Sequence, residues 1–332
     1  MLARLCAVLL GATLSFSLAA PAAAQTTLKL NESSGPGSPE DIALQAFKKL
    51  VEERSNGQLL VQVHLLDALG GPDVSLESLM TGSLDLYSGA LEYYASIAGP
   101  EINVISLPFF VGTHDKLRAY LKSDAFKPAI EKLQASGIRV LSTEWNGDRG
   151  PYRVLMSSKA IDSVDDLQGL KVRMFPNEVY QRSWSALGTL PIQLAWTETY
   201  LGIRQGTVNS VTAPLSMVRA MKFAEVAPYI VEIKEYPQTW PMTISEQTWQ
   251  KLTPEQQTTL VDAANEAGKV YAETTLKNAA SDVEKMIAEN QAKVVEIDRA
   301  AMRAKLQPLY DQLVAEGVVS AALRDAVNAL AD

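Results

Sequence analysis

DDLQGLKVRMFPNEVYQRSWSALGTLPIQLAWTETYLGIRQGTVNS, Asp165 to Ser210, is the stretch that decides the architecture of this 332-residue chain. Just ahead of it, Ser163 with Asp166 three residues on reads as a capping box opening a short helical turn, which Gly169 closes. Leu170, Val172 and Met174 then alternate with Lys171, Arg173 and Phe175. That predicts a strand with Arg173 on the face opposite the aliphatic residues. A guanidinium on a core strand needs an anion. A helix is predicted from about Asn177 to Leu187, stopped by Gly188; beyond Pro191, Thr197 is placed to cap a second helix ending at Gly206, and Val208 to Val211 begins another strand. The order strand, helix, turn, helix, strand is a βαβ-like unit whose strand ends and helix starts face one cleft.

Working outward, Leu28 to Leu30 predicts a strand leading into a polar loop. Ser38, Pro39 and Asp41 then supply an N-cap, a first-turn proline and a capping-box acid. The helix they start carries Ala43, Ala46, Phe47, Leu50 and Val51 on one face and stops at Asn56-Gly57, before a strand from Leu59 to Leu65. After the Gly70-Gly71 loop come a helix with Leu76, Leu79 and Met80, a stop at Gly82, a strand from Leu84 to Ser88 and, later, another from Ile138 to Leu141. These describe an open α/β sheet. Beyond the central stretch, Ile230 to Ile233 is a strand, and Thr253, Pro254 and Gln256 start a helix that runs unbroken to about Asn290. Val294 to Ile297 and a helix from about Ala300 to Val314 complete the chain. Crossings near Asn146-Gly147 and from Tyr236 to Met242 predict two lobes joined by two strands, where a few residues absorb the φ/ψ change of a hinge.

Apolar residues make up 47% of the chain and charged ones 20%, an ordinary balance for a globular protein. Met1 to Arg4, the apolar run Cys6 to Ala20 and Ala22-Ala23-Ala24 before Gln25 read as a secretory signal cut near Ala24. Cys6, the only cysteine, leaves with it, so disulfides, thiolate chemistry and sulfur ligation are excluded from the mature chain. The formal charge of −8 (30 basic against 38 acidic residues) becomes −9 without Arg4, which argues against nucleic acid or an anionic membrane surface as partner. The two histidines, His64 and His114, read as structural or solvated. With no HExxH, G-x-S-x-G, Walker loop or complete G-x-G-x-x-G, neither catalysis, a metal nor a cofactor is expected.

The runs DLQGLKVR, LGTLPIQL and ETYLGIRQGTVNS resemble the signature of the solute-binding proteins of TRAP (tripartite ATP-independent periplasmic) transporters, the DctP-like family. The segment from Gly70-Gly71 to Leu84-Asp85 and the apolar run before Pro108-Phe109-Phe110 are similar to the same family, and the likeness extends over nearly the whole mature chain. It implies an α/β, two-lobed periplasmic-binding-protein fold with a hinge and a long C-terminal spine helix. Lobe I would be residues 25–148 plus about 237–275, and lobe II residues 149–236 plus about 276–332. It further implies a periplasmic monomer that is not an enzyme, captures a small organic carboxylate between its lobes and delivers it to integral membrane permease subunits. Two other readings stand beside it: a ligand sensor for a receptor kinase, and an enzyme on the same fold.

The resemblance also assigns residues. Arg173, the arginine of the G-L-K-x-R run, is implied as the two-pronged carboxylate clamp. For a second arginine, counting back over SSKAIDS selects Arg153, while the local spelling NGDR favours Arg149. Trp196 falls where the family has an aromatic wall, and Trp145 and Trp240 are candidates of the same kind. Ser33, Tyr87, Ser88 and Ala90 are the expected first-lobe contributors. Ala213 stands where many members carry a ligand-contacting asparagine, which weighs against a sugar acid, and the Glu-Trp pair of the cation-dependent branch is absent.

Overall fold

Local capping starts most of the helices in the computed structural model, which describes residues 25–330; the signal reading of residues 1–24 lies outside them. The Ser38 hydroxyl accepts from Asp41 N and Pro39 fills the first turn of α1 (Pro39–Arg54). Asp41 does not complete a capping box, because its carboxylate accepts instead from Gly37 N at 2.8 Å. Ahead of α1 lies β1 (Thr26–Asn31), and after it β2 (Leu59–His64), α2 (Pro72–Thr81), β3 (Leu86–Ser88), α3 (His114–Leu121), α4 (Lys127–Ala135) and β4 (Ile138–Val140). The central stretch forms β5 (Arg153–Ser157), β6 (Lys171–Met174), α5 (Glu178–Ala186), β7 (Leu190–Gln193), α6 (Thr199–Arg204), β8 (Ser210–Pro214) and β9 (Tyr229–Glu232). β10 (Met242–Ser245), α7 (Pro254–Asn290), β11 (Lys293–Glu296), α8 (Arg299–Ala315) and α9 (Ala321–Asn328) follow.

Three expectations are corrected. The segment at Pro191 is strand β7, parallel to β6, so the unit reads β-α-β-α-β. Pro191 fits because β7 is the sheet's edge, where a missing N–H breaks no ladder bond. Thr197 caps nothing: it lies inside a 3₁₀ turn, Trp196–Glu198, that runs directly into α6. The chain also has helices that the sequence reading did not place, α3, α4 and α9 among them; the start of α9 is capped by Ser320 accepting from Leu323 N.

The strands form two sheets, β2-β1-β3-β10-β4 and β11-β9-β5-β8-β6-β7. In the first, β10 runs antiparallel between β3 and β4 although it comes about a hundred residues after β4. The chain therefore passes to the second sheet and back. The two passages touch, with Asp148 paired to Thr239, Arg149 N donating to Gln238 O at 2.9 Å and Trp240 N to Gly147 O at 2.8 Å. Arg118 of α3 grips both carboxylate oxygens of Asp148 at 2.9 Å.

Helix α7 lies along both sheets. Thr253 and Gln256 close its capping box as expected. Its first half buries Leu260, Ala263, Ala264, Ala267 and Tyr271 in the core of the first sheet. Its second half places Ala279, Val283 and Met286 in the core of the second. Midway, Gly268 meets the crossing strand: a Cβ there would lie 2.2 Å from Asn146 Oδ1 and 3.3 Å from Gly147 N, so any larger residue must displace the Asn146 side chain. A third core joins α3 and α4 to α5 and α8, and the closing pair spans both sides, α8 against α5 and α9 against α3.

Candidate functional site

Where the strands end, the two sheets face one small cavity of about 20 Å³. The crevice beyond strand ends is where open α/β sheets gather their ligand groups. From the first sheet's side come Glu32 and Ser33 after β1, Gly89 and Ala90 after β3, and Tyr93. From the second come Arg153 at the start of β5, Arg173 and Phe175 at the end of β6, Thr212 and Pro214 at the end of β8, and Trp196. Pairing fixes their order, since Arg153 sits opposite Pro214 and Arg173 opposite Val211. Arg149, Met217 and Gln238 complete the wall.

Three buried arginines line this cavity, and their partners differ. Arg153 is saturated by the protein: Nε donates to Glu235 Oε1 at 2.8 Å, Nη1 to Gln238 Oε1 at 2.8 Å and Nη2 to Thr212 Oγ1 at 2.9 Å. Tyr180 and Trp184 also donate to Glu235, and the Tyr236 ring lies 5.0 Å beneath the guanidinium. Burial works against its charge, but Tyr236, Tyr180 and Glu235 outweigh burial and raise its pKa. Arg149 Nη2 lies 3.5 Å from Glu40 Oε1 and donates to Met217 Sδ at 2.6 Å, while its buried Nε has no partner among the described residues.

Arg173 stands apart. Nε donates to Leu194 O at 2.8 Å and the guanidinium lies 5.2 Å over the Trp196 ring. No described Asp or Glu oxygen lies within ion-pair distance of it, although the side chain is only 5% exposed. Burial, uncompensated by an adjacent carboxylate, lowers its pKa. Trp196 beside it has a buried indole N–H with no partner.

Under the cavity floor, Glu32 accepts from Ser33 N (3.0 Å), Ser34 N (3.3 Å), Ser88 Oγ (2.6 Å) and Trp240 Nε1 (2.9 Å). Those four donors favour the carboxylate, while burial and the neighbouring Glu40 charge push its pKa up to about 7. Among the described residues no group of three or more His, Cys, Asp or Glu could hold a metal ion.

Of the residues singled out from sequence, Arg173, Arg153, Arg149, Trp196, Ser33 and Ala90 line the cavity. Five do not. Ser88 and Trp240 lie a layer below, holding Glu32, and Tyr87 is core with its hydroxyl unpartnered. Trp145 packs edge-on against Phe126 at 5.6 Å. Ala213 points into the second sheet's core, because alternation sends its neighbours Thr212 and Pro214 toward the cavity instead. Phe175 was legible by the same rule, two residues past Arg173 on one strand face. Tyr93, Met217 and Gln238 come from irregular segments with no period to read.

Comparison with known proteins gives one consistent family. The profile described as bacterial extracellular solute-binding protein, family 7 (DctP) matches residues 30–317. The chain is 28% identical over 320 residues to the sialic acid-binding periplasmic protein SiaP of Vibrio cholerae, covering 93% of this chain and 96% of that protein. It is 26% identical over 266 residues to the C4-dicarboxylate-binding periplasmic protein DctP of Rhodobacter capsulatus, covering 80% and 79% respectively. The crystal structure of a TRAP periplasmic solute binding protein from Polaromonas sp. JS666, bound to D-erythronate, shares the fold with a TM-score of 0.83 at 23% identity, covering 93% of this chain and 100% of that one.

Proposed function

Because the chain belongs to bacterial extracellular solute-binding protein family 7, the DctP family of TRAP transporters, we propose that the cavity between its sheets is its solute site and that Arg173 takes the solute's carboxylate. The observation that carries this reading is the Arg173 guanidinium, buried in the cavity wall without a carboxylate partner. A buried charge left unpaired is costly, and a ligand anion completes it. A guanidinium fork matches a carboxylate with two parallel hydrogen bonds, and the unpartnered Trp196 N–H lies alongside. Relatives named for sialic acid and C4-dicarboxylates, both carboxylic acids, support the same class.

Arg153 is read as the support of the site rather than a second clamp, since protein groups already occupy all three of its nitrogens. The two sheets act as the two lobes, with the paired segments at Asp148 and Thr239 as the hinge. The exported chain, cut near Ala24, closes on its ligand in the periplasm and hands it to TRAP permease subunits in the membrane. Among the described residues no helix is long and apolar enough to cross a membrane itself.

The test is a thermal-shift screen of carboxylates against the mature protein, since a ligand at about 100 times its Kd adds about 2.7 kcal/mol of stability. Calorimetry on the hit then compares variants. Arg173→Ala is expected to weaken binding by roughly 30- to 4000-fold, the cost of about 2–5 kcal/mol for cutting one partner of a buried charged pair. Arg173→Lys keeps the charge but loses the fork and falls between. If Arg173→Ala stays within about threefold of wild type, the clamp lies elsewhere.

A further inference from the structure

The cavity does not end at Arg173. A second hollow of about 370 Å³ opens on its far side, and Tyr93, Arg173, Phe175 and Trp196 are the wall common to both. Past that wall the lining becomes largely apolar: Pro72 and Val74 at the start of α2 face Pro176, Leu194 and Ala195 from the second sheet, with Asp73 and Gln193 as its polar side chains. Val74 is 51% exposed there.

We infer that the solute is an acid with a hydrocarbon tail, its carboxylate at the Arg173 wall and its tail in the outer hollow, and not a polyhydroxylated acid. This rests on the carboxylate reading above and narrows it to a chemical class. Beyond the Arg149 Nε, the inner chamber has little to offer a set of hydroxyls, because most of its other polar side chains satisfy one another. Gln238 accepts from Arg153 and donates to Glu92, Ser33 donates to Asp67, and Thr212 accepts from Arg153. A hydroxyl entering there must break one of these bonds or go unmatched, which lowers affinity by about 5- to 150-fold. At the wall stand Arg173, a cation with no Asp or Glu at ion-pair distance among the described residues, and the buried Trp196 N–H, which has no partner among them. A carboxylate accepts from both, and a hydrocarbon tail leaves no hydrogen bond behind.

The wall itself suits a hydrocarbon group. Tyr93 meets Phe175 edge-on at 5.5 Å and 77°, and the Trp196 indole lies under Arg173, so a tail leaving the carboxylate runs along an aromatic wall before reaching Val74 and Leu194. Continuity through four shared residues makes the outer hollow part of one site.

Calorimetry on the mature protein tests this with acetate, butyrate, hexanoate, 3-phenylpropionate and D-glucuronate as probes. The expected result is a rise of about three- to fourfold in affinity per added methylene, with 3-phenylpropionate tighter than D-glucuronate. In Val74→Asn, whose exposed position spares the fold, the ratio of 3-phenylpropionate to acetate affinity should fall at least threefold. A flat series, or D-glucuronate binding more tightly than every apolar acid, overturns the tail inference and leaves the carboxylate reading standing. An unchanged ratio in Val74→Asn also overturns it. Binding by none of the five overturns the carboxylate reading itself.

Discussion

Arg149, Arg153 and Arg173 share one cavity, yet the chemistry open to each is set by its neighbours. Arg153 is paired with Glu235 inside the protein. Arg153→Met leaves that carboxylate buried with its cation gone, so the variant should lose about 3–5 kcal/mol of stability, and Arg153→Met with Glu235→Leu should recover most of it. Urea titration of both reads the difference. Arg173 was legible in the sequence, since alternation alone put it opposite Leu170, Val172 and Met174. The choice between Arg149 and Arg153 was not, because Glu40, Glu235 and Gln238 approach from remote segments. Glu32 supplies a pH test. Its carboxyl is raised from 4.5 to about 7 by burial and Glu40, against the pull of Arg149, Ser88 and Trp240. A group raised on folding contributes stability in full below its unfolded value and loses it as pH rises through the folded one. Wild type should therefore lose stability from pH 4.5 to about 7, and Glu32→Gln should lack that part of the slope whatever its constant offset. Melting both across this range decides it.

At the scale of elements, sequence reading succeeded where caps and periods are local and failed where tertiary contacts decide. The Thr253 capping box and the Gly188 stop are short-range signals, and both helices begin and end where those signals put them. Strand β7 escaped because a proline reads as a break, whereas a sheet edge tolerates it. Gly268 shows the same split. In an isolated helix, alanine there would stabilise by about 1 kcal/mol. Here the added methyl must displace Asn146, whose Nδ2 donates to Asn265 O at 2.9 Å, from the crossing strand. Gly268→Ala is expected to destabilise by about 1–3 kcal/mol, as overpacking does, and a thermal melt above wild type would refute the close approach.

For the molecule as a whole, the two crossings were visible as breaks between periodic runs, and the two sheets follow from them. What could not be read is how the C-terminus ties in, since Asn103 reaches Val318 across more than two hundred residues. If the sheets close on the solute, small-angle scattering should give a smaller radius of gyration with a saturating carboxylate than without. Equal values would mean a rigid receptor.

Helix α7 constrains how such a closure proceeds. Its 37 residues form an unbroken rod about 55 Å long, seated in both cores and pressed against the crossing strand at Gly268. Two bodies tied by a pair of adjacent strands, one stiff strut and the closing pair α8 and α9 keep essentially a single rotational degree of freedom. The conformational coordinate is then one number. Energy transfer between one donor and one acceptor dye, on α2 and α6, would report it completely, and every ligand should move that signal along the same line. Residues 25–332 hold no cysteine, so two introduced thiols would be the only attachment points on a protein that begins at Gln25.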